Sequence, residues 1–351
     1  MTDLTTTYMG LPLRNPLVAG SSSLTGSVEG VKKVADAGVG AIVLKSLFEE
    51  QIAHETGILE HYADYANHGE AAEYLHTYGM ELGPRQYLQL VEDAKKAVDV
   101  PILASVNCFS TERWADYAKK LELAGADGIE MNIAVMPTST RIPGQDVENL
   151  YLQILHEVKS RINIPVAVKL GPYFSSLASF ADHLTRDLAE APDFSVGWCG
   201  TPNEPHKITW RGADALVLFN RFYQLDMDID NLQLVAGNPY STPSEIHLSL
   251  RWIALLYERI HADLSATTGV HSGQDAIKQI LAGAQTVQLC SVLYKNGIQH
   301  VGQILKEMQD WMKSKGFSSL ADFRGRLSQK HSKTPESFER LQYIKLFVGI
   351  E

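Results

Sequence analysis

Five polar residues fall at the ends of five separate apolar runs: Lys45 closes AIVLK, Asn107 closes ILASVN, Asn132 closes GIEMN, Lys169 sits in VAVKLGP and Asn220 closes ALVLFN. A single lysine or amide at such a place ordinarily meets solvent or caps a turn. Five on parallel strands converge on one small volume, where amides and ammonium groups cost several kcal/mol unless they are paired. Such a cluster suits a polar ligand. A second feature, Thr268-Gly269-Val270-His271-Ser272-Gly273, joins a β-branched run to a helical pattern and brings bare N–H groups and a helix N-terminus to the same end. Cys290-Ser291 closes the next run beside it. The bland alternative is that the two glycines only permit tight turns. Read together, the features fit flavin mononucleotide (FMN): asparagines can read the amide-like edge of an isoalloxazine ring, and a lysine can stabilise negative charge at its N1/C2=O end.

The elements that must position these groups alternate along the chain. Strands are expected over residues 15–22, 41–46, 101–107, 128–134, 165–171, 213–221, 263–270 and 286–292, several of them apolar on both faces as strands between a barrel interior and a helix layer must be. Helical periodicity is clearest over residues 86–98, 112–125, 145–162, 243–260, 273–284 and 301–315. Eight strands with intervening helices predict an α/β fold, a TIM-type (β/α)8 barrel. An open doubly wound sheet is the alternative, but no Gly-x-Gly-x-x-Gly turn follows the first strand. Long segments at 47–84, 135–144, 191–211 and 222–240 follow or precede strands, and those after strands are expected to cover an active site at the strands' C-terminal face. Residues 1–316 form the barrel in this reading and residues 317–351 a helical extension packed on it.

Composition is ordinary for a globular chain of 351 residues, with 45% in the apolar set, and the net charge of -10 argues against nucleic acid or an anionic membrane as partner. The N-terminus lacks a signal-peptide pattern, so a cytoplasmic location is expected. Cys108, Cys199 and Cys290 lie far apart and form no Cys-x-x-Cys pair, so no metal site is expected.

With these elements in place, the chain resembles the dihydroorotate dehydrogenase family through NPLVAGSSSLT (15–25), AIVLKS (41–46), GIEMNI (128–133), VAVKLGPYFSS (166–176), LVLFNRFYQLDMD (216–228) and TTGVHSGQDAIKQILAGAQTVQLCSVL (267–293). The resemblance implies that Gly20 and Ser21 pack against the flavin and that Lys45, Asn107, Asn132 and Lys169 bind its ring and ribityl chain. It implies that Gly269, Val270, Gly273 and Ser291 hold the phosphate, and that Lys45, Asn132 and Asn220 carry the catalytic contacts.

The substrate half departs from the family pattern. Members use a Cys or Ser in the loop after strand four as the base, and here Asn132-Ile133-Ala134-Val135-Met136-Pro137 puts Val135, which cannot accept a proton, at that place. Glu81 and Pro137 fall where substrate-binding asparagines are expected. A hydroxyl of Thr138, Ser139 or Thr140 is a candidate replacement base, and His271 reads as a turn residue. The segment 193–210, with Cys199 and His206, is either a lid or an oligomer contact, which leaves a homodimer open. Three functions follow as alternatives: a flavin oxidoreductase acting on a small planar, dihydropyrimidine-like substrate; a flavin-free lyase or aldolase with a Schiff base on Lys169; or a flavin-binding electron-transfer subunit with a partner protein.

Overall fold

The computed structural model describes residues 2–51, 83–109, 114–187, 210–222 and 224–339. Eight parallel strands close on themselves: β1 Leu17–Ala19, β2 Ala41–Val43, β3 Ile102–Cys108, β4 Gly128–Ile133, β5 Val166–Leu170, β6 Ala215–Leu218, β7 Asp263–Ala266 and β8 Thr286–Leu289. Neighbours follow chain order, β8 pairs with β1 through Val287↔Leu17, and β2 pairs with β3 through Ile42↔Ile102, so the sheet has no open edge. This is the (β/α)8 barrel that the alternating pattern predicts. Seven of the eight strands are shorter than their expected runs, whose flanks already turn toward the helices, while β3 keeps its length and shifts by one residue.

Alternation along the strands sorts side chains into two cores. Val18, Ala41, Val43, Leu103, Ala167, Ala215 and Val217 form the cluster inside the barrel. Their neighbours, such as Leu17, Ile42, Ile102, Val166 and Leu216, belong to the larger cluster beneath the helices. An N-terminal hairpin, Thr6–Tyr8 paired with Leu11–Leu13, contributes Tyr8, Met9 and Leu13 to the inner cluster. The Met9 N–H donates to Asp263 at the start of β7, 2.7 Å away, so the hairpin plugs the barrel at the strands' N-terminal end.

The six expected helices form, with bounds within a few residues of their periodic patterns; the fourth begins as a 3-10 turn, Pro243–Glu245, and continues as Ile246–Leu256. Three more, Val28–Asp36, Leu177–Thr185 and Ser291–Asn296, complete the outer layer. The first of these carries Gly30 and several β-branched residues, a poor helical signal that tertiary packing overrides. After β6 the chain makes a second hairpin, Leu225–Asp228 paired with Gln233–Ala236, within a stretch read only as a loop. The tail up to Glu339 holds its helical character in two 3-10 turns, Leu320–Asp322 and Pro335–Phe338, and buries Phe323 against the outer core. No described helix is long and apolar enough to cross a membrane.

Candidate functional site

The inner face that carries Leu103, Gly128 and Ala167 low in the barrel carries Asn107, Asn132 and Lys169 at its top. Register places them side by side: Asn107 pairs with Asn132 and Asn132 with Lys169 across three adjacent strands. Lys45 lies two residues beyond Val43, and its stem lies against Gly26, where a Cβ would come within 3.1 Å of it. Asn220 reaches this row directly, its Nδ2 donating to Asn132 Oδ1 at 3.1 Å, while its N–H donates to Leu170 O at 2.8 Å.

Beneath the row sits a group that the sequence reading passed over. Glu130, one pleat below Asn132, is wholly buried, accepts from Gln288 Nε2 on one oxygen, and presents the other to Lys169 Nζ at 3.6 Å. That second oxygen and Gln288 Oε1 have no hydrogen-bond partner. Buried polar atoms left without a partner mark a place built for a ligand or water. Gly20 lies beside the Gln288 carbonyl: a Cβ there would sit 3.5 Å from Oε1 and 3.4 Å from Leu289 O, in van der Waals contact. Ser21, Ser46 and Ser105 form a hydroxyl chain across β1, β2 and β3, with O···O distances of 3.0 and 2.7 Å. Cys290 extends the same face of β8, and burial pushes its thiol up while Lys169 works against that shift.

At the ends of β7 and β8 the backbone takes over. Thr268 and Gly269 both adopt left-handed conformations, φ 70° and 80°, unusual for a β-branched residue and a form of strain that concentrates at functional sites. Gly269 is obligatory, because a Cβ would overlap the Ile246 nitrogen at 2.3 Å. Ser241, not foreseen from the sequence, stitches the loops together: its N–H donates to Ser291 Oγ at 2.9 Å, its carbonyl accepts from Lys295 Nζ at 2.8 Å, and its hydroxyl lies 3.1 Å from His271 Nε2. His271 therefore acts within the turn, and burial together with Lys295 holds its imidazole below the usual histidine value.

Val270 offers this turn only its backbone, its side chain being buried in the outer core. Gly273 meets a packing demand as well. Its N–H donates to Glu307 Oε2 at 2.7 Å, and a Cβ there would lie 2.4 Å from Glu307 Cβ, so this glycine lets helix Gly273–Ala282 approach helix His300–Lys315.

The substrate side is built by loops. Two phenols hold the segment after β4 through its carbonyls: Tyr151 donates to Ile133 O, and Tyr173 lies 3.1 Å from Val135 O and 2.8 Å from the Tyr151 hydroxyl. The Tyr173 ring covers the end of β5, where a Cβ on Gly171 would strike it at 2.1 Å, and it packs beside Phe222. Burial raises the Tyr173 hydroxyl above the ordinary phenol value. Val135 packs against the core with no proton-accepting atom, while Thr138, Ser139 and Thr140 are exposed and Ser139 Oγ accepts from the Arg141 N–H.

A cavity of about 720 Å³ lies at the opposite end, lined among others by Met9, Asp187, Asp214 and Asp263. Its carboxylates serve the fold: Asp214 accepts from Lys159 and the Val166 N–H, and Asp263 accepts from Met9. Asp187 and Gly212, on either side of the 188–209 segment, meet here through a 2.9 Å hydrogen bond. Cys199, His206 and Glu81 lie outside the described residues.

The family model described as dihydroorotate dehydrogenase matches residues 3–189 and 243–312. The chain is 24% identical over 336 residues to "Dihydroorotate dehydrogenase B (NAD(+)), catalytic subunit" of Thermoplasma volcanium, covering 93% of this chain and 98% of that protein. It is 27% identical over 335 residues to "Dihydroorotate dehydrogenase A (fumarate)" of Lactococcus lactis, covering 92% and 99%. It is 25% identical over 353 residues to the chloroplastic "Dihydropyrimidine dehydrogenase (NADP(+))" of Arabidopsis thaliana, covering 92% and 76%.

Proposed function

The chain belongs to the dihydroorotate dehydrogenase family, and from that premise we propose that it is a cytoplasmic, FMN-dependent oxidoreductase acting on a small planar, dihydropyrimidine-like substrate, with dihydroorotate itself a poor one. The observation that carries the reading is the registered row Asn107, Asn132 and Lys169, with Asn220 bonded to Asn132 and unpartnered buried oxygens of Glu130 and Gln288 beneath. FMN, when bound, supplies hydride chemistry at its N5 atom.

The residues present fit that group. Lys169 offers an ammonium for the N1/C2=O edge, and Asn107 and Asn132 offer amides for the remaining polar edge and the ribityl chain. Gly20 and Ser21 allow main chain and hydroxyl to approach closely, and the left-handed turn at Thr268 and Gly269, with Ser291 beside it, suits the phosphate. Asn132 and Asn220 hold each other, so a substrate amide or carboxylate meets an oriented pair rather than two free side chains. Val135 puts no proton acceptor at the position from which family members begin the oxidation of dihydroorotate. The naming of archaeal relatives as catalytic subunits supports an electron-accepting partner as part of the same proposal.

The test is the colour of purified protein. It should be yellow, with noncovalent FMN released on denaturation. Colourless protein that also fails to take up added FMN overturns the proposal, and trapping of a carbonyl compound on Lys169 by borohydride would replace it with the lyase chemistry.

A further inference from the structure

A wholly buried carboxylate is costly in the middle of a barrel. Other residues of the inner face, such as Leu103, Ala167 and Val217, are apolar, and apolar residues in place of a buried ion pair are often as stable or more so. Glu130 nonetheless stands there, its side chain 1% exposed, with Lys169 Nζ 3.6 Å from one of its oxygens. The lysine side chain is itself only 14% exposed, so water screens the pair little and each charge feels the other strongly. Fold stability gives weak grounds for such a pair; the chemistry of the site gives better ones.

The carboxylate is anchored from the far wall. Gln288 on β8 donates its Nε2 to the other oxygen of Glu130, and Glu130 pairs with Ala167, one pleat deeper in the barrel than the pair Asn132 and Lys169. The 3.6 Å separation from Lys169 exceeds the roughly 2.7 to 3.2 Å of an N–H···O hydrogen bond. The two groups therefore meet as charges, and the ammonium keeps its N–H donors for a ligand at the strand ends. Two phenols sense the same carboxylate: burial, with the charge of Glu130 adding to it, pushes the Tyr8 and Tyr87 hydroxyls above the ordinary phenol value. Both stay neutral, so neither offers Glu130 a compensating charge.

We infer that Glu130 is a positioning residue for the flavin site: it holds the Lys169 ammonium by its charge and, through that ammonium, sets the reduction potential of the bound FMN. The inference rests on the proposed flavin reading and adds to it a group that does not touch the ring. Lys169 stabilises the negative charge that the N1/C2=O edge carries after hydride transfer. Glu130 offsets part of that stabilisation, so the pair keeps the potential lower than the lysine alone would.

The experiment is a spectroelectrochemical titration of the flavin-loaded protein at one pH, comparing wild type with Glu130→Gln and Glu130→Asp. Gln keeps the shape and can still accept from Gln288 but carries no charge; Asp keeps the charge and withdraws it by one methylene. At fixed potential the ratio of reduced to oxidised flavin should rise about tenfold in Glu130→Gln, about 30 mV for two electrons, and by less in Glu130→Asp. A structural role gives the opposite order, with Gln like wild type and the cavity-forming Asp disturbed, and that order overturns the inference. In a Lys169→Met background Glu130→Gln should change little, because a buried carboxylate without its ammonium takes up a proton rather than stay charged. The same tenfold rise in that background means that Glu130 does not act through Lys169, and overturns the inference. If Glu130→Gln does not fold, Glu130→Asp carries the test: its ratio should exceed that of the wild type, but not in the Lys169→Met background, and an equal ratio overturns the inference. Colourless protein that takes up no added FMN overturns the flavin reading and this inference together, whereas yellow protein with equal potentials in all three forms overturns the inference alone.

Discussion

The rim after β7, β8 and β1 is made of backbone. Thr268 and Gly269 are fixed in left-handed conformations, Gly269 lies against the Ile246 nitrogen, and Ser241 ties three segments together. The rim after β4 and β6 is made of side chains on loops, where Tyr151 and Tyr173 hold carbonyls of a segment whose own side chains, Val135 and Met136, perform no acid–base chemistry. The first rim tolerates little where a Cβ would strike main chain, as at Gly269 against the Ile246 nitrogen. The second varies at smaller cost to the fold from Met136 onward, since those side chains are exposed and the strands beneath are already paired. A barrel can therefore keep its cofactor rim while its substrate rim is rewritten, which is how one fold serves several reactions.

The sharpest way to break this comparison is through turnover. A missing general base costs about 10² to 10⁴ in rate, so anaerobic bleaching of the flavin by dihydroorotate should be slower by that order than in relatives with Cys or Ser at the position of Val135, and Val135→Cys should recover part of it. A wild-type rate equal to that of such relatives means that the substrate rim has not been rewritten.

Gly273 tests the other rim. A Cβ there meets Glu307 Cβ at 2.4 Å and Ile304 O at 2.9 Å, so Gly273→Ala should destabilise the fold by about 1–3 kcal/mol, as overpacking does, while FMN stays bound. Denaturant unfolding read together with the flavin spectrum separates the outcomes: loss of flavin without loss of stability would return Gly273 to the phosphate site.

Lys169→Met should preserve the barrel and lower the flavin reduction potential by tens of millivolts, at about 1.4 kcal/mol per 30 mV for two electrons. Identical potentials in spectroelectrochemical titration would remove Lys169 from the ring edge. The smallest effect belongs to Tyr173→Phe, which deletes one hydroxyl contact to Val135 O and should cost about 0.5–1.5 kcal/mol in denaturant unfolding. A larger loss, or a change in flavin potential, would make Tyr173 part of the site itself rather than a support for the loop.

The order of strands and helices, the barrel and the row of polar strand ends were legible because each depends on local alternation: an apolar run ending in Lys or Asn specifies both a buried strand and which residue emerges at its top. Loop chemistry was legible only as absence, in Val135 where a base would stand. Tertiary structure alone brought Glu130 to Lys169 of the neighbouring strand and Gln288 to both Glu130 and Gly20, since β8 meets β1 and faces β4 only when the sheet closes. It alone separated the two glycines of Thr268–Gly273: a glycine at a turn and a glycine between two helices look alike in sequence, and only the Ile246 backbone at one and Glu307 at the other show which contact each is small enough to permit.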